Sequence, residues 1–210
     1  MSSDTLRTST GRPLTSRGRR TRERIVAAAA ELMLDIGVTG TTMEDVRDRA
    51  EVSSSQIYHY FSDKDELVRA VIAHQDETIV GTHEEVFAHL DSIDGLRRWC
   101  DGIVEYQRLG GCSGGCPLGA LGAQVAETDP DARAAVARAL ARWERAIRRG
   151  YDAMQDRGVL DGSVDTASLA LATLAALQGG LLMAQVQRDT APLQASLDAV
   201  VHRAELLTAR

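Results

Sequence analysis

The stretch Ser53-Ser54-Ser55-Gln56-Ile57-Tyr58-His59-Tyr60 concentrates side chains that donate and accept hydrogen bonds without carrying a fixed charge. Lys64 follows shortly after, the only lysine beside 23 arginines. Hydroxyls and an ammonium suit phosphate oxygens, and a carboxamide suits the edge of a base. Gln56 could pair with N6 and N7 of adenine. It also stands three residues after Ser53, the spacing of a helix capping box, so both roles stay open. Ser54 and Ser55 are small enough to permit close approach, and His59 could meet a phosphate or a thymine methyl. Tyr58 and Tyr60 are two residues apart and cannot share one helical face. Both hydroxyls are expected at phosphates or the groove edge, with part of one ring on the core. Thr42 could donate to phosphate through its hydroxyl and its backbone N–H. Arg22, with Arg19, Arg20 and Arg24, suits a minor groove or a run of phosphates.

A second kind of chemistry lies in Gly110-Gly111-Cys112-Ser113-Gly114-Gly115-Cys116-Pro117. Cys116 stands at an expected helix start, where a thiolate is favoured, so Cys112 or Cys116 could react with electrophiles or oxidants. The plainer reading is that Cys116 is a small buried apolar residue. With Cys100 the cysteines number three, which suggests no disulfide framework. The Cys-x-x-x-Cys spacing has no histidine nearby, and His74, His83 and His89 do not share a helical face, so no metal is expected. No nucleophile–base pair, paired carboxylates or phosphate loop stands out, so neither an enzyme nor a cofactor is expected.

The net charge of −6 is unevenly placed. Residues 1–75 carry 11 basic and 11 acidic side chains, whereas residues 76–210 carry 13 and 19. Within the first part, Arg7, Arg12, Arg17, Arg19, Arg20, Arg22 and Arg24 face only Asp4 and Glu23. A basic arm on an acidic body is compatible with nucleic-acid binding, since only the contact surface must suit phosphate.

These groups need positioning elements, and the composition favours helix over sheet. Residues 1–19, with almost nothing to bury, are expected to be a disordered basic arm. A first helix is expected from about Arg20 to Ile36, with Gly37 past its end. A second runs from a Thr41/Glu44 capping box to about Ala50, and a third, capped by Ser53 and Gln56, spans about Ser54 to Tyr60. A fourth starts from Ser62/Asp65 and reaches towards Leu90. Two short helices joined at Glu51-Val52 describe a helix-turn-helix. Further helices are expected over 95–109, 117–126, 130–157, 165–188 and 191–209.

Phe87, Trp99, Ile103, Tyr106, Leu121, Trp143, Ile147, Tyr151, Leu174 and Gln178 are candidates to line a cavity for a mostly apolar ligand. For any one of them, plain core packing is the simpler role. Leu169, Leu174, Leu177, Leu181, Leu182, Leu193, Leu197, Val200, Val201, Ala204 and Leu207 exceed what two terminal helices should bury alone, which suggests a four-helix contact between two copies. The apolar stretch Leu169–Val186 reads as a buried helix, not a membrane span. No secretory signal is visible, and a cytoplasmic home is expected.

The pattern Arg24-Ile25-x-x-Ala28-Ala29-x-x-Leu32, Gly37, Thr41-Thr42-Met43-x-x-Val46, Ala50-x-Val52-Ser53, Ile57-Tyr58-x-Tyr60-Phe61 and Lys64-x-x-Leu67 resembles the DNA-binding domain of the TetR/AcrR family. The resemblance implies phosphate contacts by Tyr58 and Lys64. Gly115-Cys116-Pro117-Leu118-Gly119-Ala120-Leu121, with Asp129-Pro130 and Trp143, looks like the LmrA/YxaF-like branch. The family implies an all-α chain of about nine helices: a helix-turn-helix domain over 20–66, then a ligand-binding and dimerisation domain over 67–210. It further implies a homodimer through the last two helices and a small-molecule effector. The expectation is a ligand-responsive regulator, most simply a repressor released from a palindromic double-stranded operator. A cysteine-based electrophile-sensing repressor is the second reading. A helical small-molecule-binding protein without DNA function is the third.

Overall fold

The computed structural model describes residues 9, 12–81, 86–87 and 89–209. His83 and most of the expected N-terminal arm lie outside the described residues. Among those described there are ten α-helices and no strand: α1 Ser16–Asp35, α2 Gly37–Gly40, α3 Met43–Arg49, α4 Ser54–Tyr60, α5 Lys64–Asp76, α6 Ile93–Leu109, α7 Pro117–Val125, α8 Pro130–Asp156, α9 Thr166–Gln187 and α10 Ala191–Leu206. Setting aside the four-residue α2, which sequence periodicity is too short to reveal, nine remain.

Contacts divide the chain into two compact units, Met1–Asp76 with Ala120–Ala137, and Glu77–Gly119 with Arg138–Arg210. The first is built on α1, whose buried stripe includes Ile25, Ala29 and Met33. It packs against α2, α3 and α5. α1 begins at Ser16, earlier than expected, because the Thr15 side chain accepts from the Gly18 N–H at 3.1 Å. It ends at Gly37, whose φ of 81° is a left-handed turn that glycine adopts without strain. α5 passes at Glu77–Gly81 into a π-helical turn. The expected helix towards Leu90 therefore leaves the α-helical pattern after Asp76.

In the second unit α9 packs along α10, and α10 against α6. Asp165 caps α9 by accepting from the Ala167 and Ser168 N–H groups, and Ser92 caps α6. The residues expected to join two copies are mostly consumed here. Leu169, Leu174, Leu177, Leu181, Leu193, Leu197, Val200, Val201 and Ala204 are all buried within the single chain. Only Leu182 of that set is well exposed, and Leu207 is half-buried. α9 is nevertheless apolar on its outer side too, leaving Leu171, Leu182, Met183 and Val186 exposed. It is the one described helix long and apolar enough to cross a membrane, by length and composition alone.

Candidate nucleic-acid interface

α3 and α4 form the helix-turn-helix. Val46, Ala50, Ile57 and Phe61 lock them onto the core of the first unit, each no more than 1% exposed. The turn between them passes through Glu51 at φ 51°, a left-handed conformation unusual for a side chain of this kind. Val52, next in the turn, is half-buried.

Both short helices carry complete capping boxes. At α4 the Ser53 hydroxyl accepts from the Gln56 N–H at 3.2 Å, and Gln56 Oε1 accepts from the Ser53 N–H at 2.9 Å. At α3 the cap is Thr42 with Asp45, one residue later than the expected Thr41 and Glu44. Thr41 is buried instead and donates its hydroxyl to the Gly37 carbonyl at 2.8 Å. α5 differs similarly from the Ser62/Asp65 expectation. Asp63 Oδ1 accepts from the Glu66 N–H at 2.8 Å, while Glu66 reaches back to the Ser62 N–H.

This geometry divides the expected contact residues. Ser54, Ser55, Gln56, Tyr58 and His59 are exposed along one edge of α4, Tyr58 by 54%. Gln56 keeps its amide nitrogen available, but its carbonyl belongs to the cap, so a two-point pairing with adenine would open that cap. Tyr60 is a correction: it is only 8% exposed, its ring packed edge-on against His59 at 5.1 Å, which makes it chiefly a packing residue. Thr42 is a second correction. Its backbone N–H and its hydroxyl both donate to Asp45 Oδ2, at 2.9 and 2.6 Å, leaving neither donor for phosphate. Those two bonds hold the exposed Asp45 carboxyl below its usual range, the hydroxyl contributing most.

Lys64 is half-buried at the start of α5 and reaches the Thr39 carbonyl at 3.4 Å. The helix terminus beside it is occupied by the Asp63 cap, so Lys64 offers its ammonium alone and not a helix-terminal clamp. Arg22 lies 4.8 Å above the Phe61 ring, and burial lowers its pKa despite the opposing pull of Glu66 and Glu23. It is a packed cation more than a free phosphate reader. Two contacts escaped sequence reasoning. Arg47 on α3 pairs with Asp48 and extends to the Ser54 hydroxyl at 3.5 Å, a meeting across the turn that linear spacing does not announce. Ser9 donates its backbone N–H to the His59 carbonyl at 3.0 Å, near the end of α4.

In the second unit, Phe87 and Trp99 are buried with ring centroids 6.0 Å apart, and Trp143, Ile147, Tyr151 and Leu174 are buried as expected of either role. Tyr151 bonds Thr173 Oγ1 at 2.8 Å, and burial pushes its pKa up to about 12. Ile103 and Gln178 are half-buried. Tyr106 is a correction: at 76% exposed it faces solvent. Leu121 is buried and groups with the first unit. A surface groove of 380 Å³ runs between Val86, His89, Gly95, Arg98 and Trp99, and includes only Trp99 of the expected set. All three cysteines are buried, and burial lifts the Cys100 thiol to about 12. No cluster of metal-ligating side chains occurs among the described residues.

Comparison with known proteins agrees with this architecture. Residues 25–71 match the family profile of bacterial regulatory proteins, tetR family, and residues 92–200 match the tetracyclin repressor-like C-terminal domain. An HTH-type transcriptional regulator of Mycobacterium tuberculosis H37Rv is 28% identical over 185 residues, covering 87% of this chain and 90% of that one. The transcriptional regulator AcuR of Cereibacter sphaeroides is 25% identical over 171 residues, covering 80% and 78%. Among solved structures, a TetR regulatory protein from Rhodobacter sphaeroides superposes with a TM-score of 0.77 at 23% identity, over 87% of this chain and 97% of that one. The reduced form of E. coli NemR gives 0.71 at 23% identity, over 86% and 95%. Together the two profile matches span most of the described helices, and the chain belongs to the TetR family of DNA-binding transcriptional regulators, not to an enzyme family.

Proposed function

We propose that this chain is a repressor that binds a palindromic operator as a homodimer and leaves it when a small, mostly apolar effector occupies the second unit. The supporting observation is the exposed edge of α4, where Ser54, Ser55, Tyr58 and His59 stand clear of the core, with Lys64 at the start of the next helix. A recognition helix enters the major groove with such an edge, and the basic arm adds sequence-independent attraction to phosphate. A repressor role is in keeping with DhaR of Mycobacterium sp. strain GP1, a transcriptional repressor 22% identical over 183 residues.

Two copies are needed because a single α4 reads only a half-site. The uncovered Leu171, Leu182, Met183 and Val186 of α9, with Leu206 of α10, supply a face that a two-fold partner would cover. The same pairing accounts for a helix apolar on both sides without a membrane, and such a regulator works in the cytoplasm beside its DNA. Cysteine-based sensing has weaker support, because Cys112 and Cys116 are only 3% and 8% exposed.

The test is gel retardation and footprinting of DNA from upstream of the chain's own coding region. The expected result is two protected half-sites one helical turn apart, with affinity falling steeply as salt rises. Retention that ignores sequence, or none at low salt, would overturn the reading.

A further inference from the structure

Two shielded hydrogen-bonding atoms in the second unit, Nε1 of Trp143 on α8 and the amide nitrogen of Gln178 on α9, have no partner among the described residues. Trp143 as a whole is 6% exposed, so its N–H cannot turn to bulk water. Bare buried donors are disfavoured enough to be rare, and each calls for an explanation.

Other polar groups along this helix pair are hydrogen-bonded to one another. The Tyr151 hydroxyl donates to Thr173 Oγ1, whose own hydrogen goes to the Leu169 carbonyl at 2.9 Å. Gln155 Nε2 donates to the Val164 carbonyl at 3.1 Å, and Thr166 bonds Asp152. These bonds make α8 and α9 a hairpin and set its register. From the Tyr151–Thr173 pair, Trp143 lies about 12 Å along α8, and Gln178 about 7.5 Å along α9 in the same direction, at 1.5 Å per residue. The two bare groups therefore stand within about one helical turn of the same level. The Gln178 amide is seated against Gly119 in the first turn of α7, where any Cβ would come within 2.8 Å of its Oε1.

Arg142 and Glu144 flank Trp143 but are only half-buried, and Arg142 pairs with Glu77. Among the described residues of this unit no Asp, Glu, Lys, Arg or His is buried, and the buried polar side chains are Gln107, Thr166 and Thr173. A carboxylate or an organic cation would find no buried counter-charge there. A plain hydrocarbon would leave the indole N–H bare.

We infer that the effector is an uncharged, largely apolar molecule with a hydrogen-bond-accepting oxygen, a ketone or lactone in type. Its oxygen accepts from the Trp143 indole N–H, and the Gln178 amide holds the same polar end. This rests on the reading of the second unit as the sensing unit.

The experiment titrates the full chain, by calorimetry and thermal shift, with matched probes: fluorene and 9-fluorenone, p-menthane and menthone, undecane and 2-undecanone. The expected result is that a ketone binds roughly tenfold more tightly than its hydrocarbon, and that Trp143→Phe erases the difference. Equal binding within every pair, no ketone binding at all, or a preference that survives Trp143→Phe overturns the inference. Should Trp143→Phe fail to fold by circular dichroism, Gln178→Leu with the same probes decides. DNA retardation by the same preparation is read separately. Lost retardation with the ketone preference intact overturns the regulator reading alone, and the reverse outcome overturns this one alone.

Discussion

Gln124 Oε1 accepts a hydrogen bond of 2.7 Å from the backbone N–H of Val38. The donor is in the first turn of α2, directly after Gly37, and the acceptor sits near the end of α7. Contacts accordingly place residues 120–137 with the DNA-binding helices, although they come far later in the chain. The same Oε1 lies 2.9 Å from where a Cβ on Gly37 would stand. Gly37→Ala is therefore strained twice, by its left-handed φ and by the carboxamide, and should destabilise by about 1–2 kcal/mol. Gln124→Ala should cost about 1 kcal/mol by leaving the Val38 N–H to water. The two share one contact, so the double variant should lose less than the sum. Urea unfolding followed by circular dichroism measures all three, and strict additivity would disprove the shared contact.

The two tyrosines of α4 should separate in DNA binding. Tyr58 is exposed and Tyr60 is packed, so Tyr58→Phe should weaken retention of every duplex, while Tyr60→Phe should leave affinity within twofold, about 0.4 kcal/mol. Lys64→Gln should lower the slope of log affinity against log salt by about one. An unchanged slope would remove Lys64 from the phosphate contacts.

Much of this head was legible in advance, and the misses have a common cause. Ser53 and Gln56 were identifiable as a cap because serine at the N-cap and glutamine at N3 agree with the apolar spacing that follows. At α3, Thr41-Thr42 offers two adjacent caps, and linear spacing cannot choose between them. Burial of Thr41, with its hydroxyl spent on the Gly37 carbonyl, decides it. Tyr60 fails for a similar reason, since which of two polar aromatics on a short helix turns inward is decided by how that helix packs, which leaves Tyr60 8% and Tyr58 54% exposed. The apolar residues of α9 and α10 were counted correctly but allotted to the wrong surface. A helix apolar all round gives no periodic signal for which side faces its own chain.

Thr42 holds the Asp45 carboxyl below its ordinary range. The folded pKa is depressed, so the interaction stabilises the chain above the ordinary aspartate range and is lost as pH falls through the folded value. Thr42→Val, which removes the hydroxyl, should raise the Asp45 pKa towards that of a free side chain, seen by carboxyl-carbon NMR titration. The stability gap between the two proteins should then narrow in acid. A gap that stays constant down to the acid transition would show that the hydroxyl acts on the backbone N–H of Asp45 alone.

The outer face of α9 gives the sharpest test of assembly. Val186 is 75% exposed and Leu182 61%, so a glutamate at either position can reach solvent within its own chain. Leu182→Glu and Val186→Glu should therefore fold normally, yet face a like charge across a two-fold axis and dissociate the dimer, read as a halved mass by light scattering. Leu177, on the inner face of the same helix, is fully buried, and Leu177→Glu should fail to fold at all. Operator binding should fall with dimerisation, because two heads held together gain an effective concentration that separate chains lack. If Val186→Glu leaves the mass of a dimer intact, the two copies meet elsewhere, and the apolar stripe from Leu171 to Val186 requires a different partner.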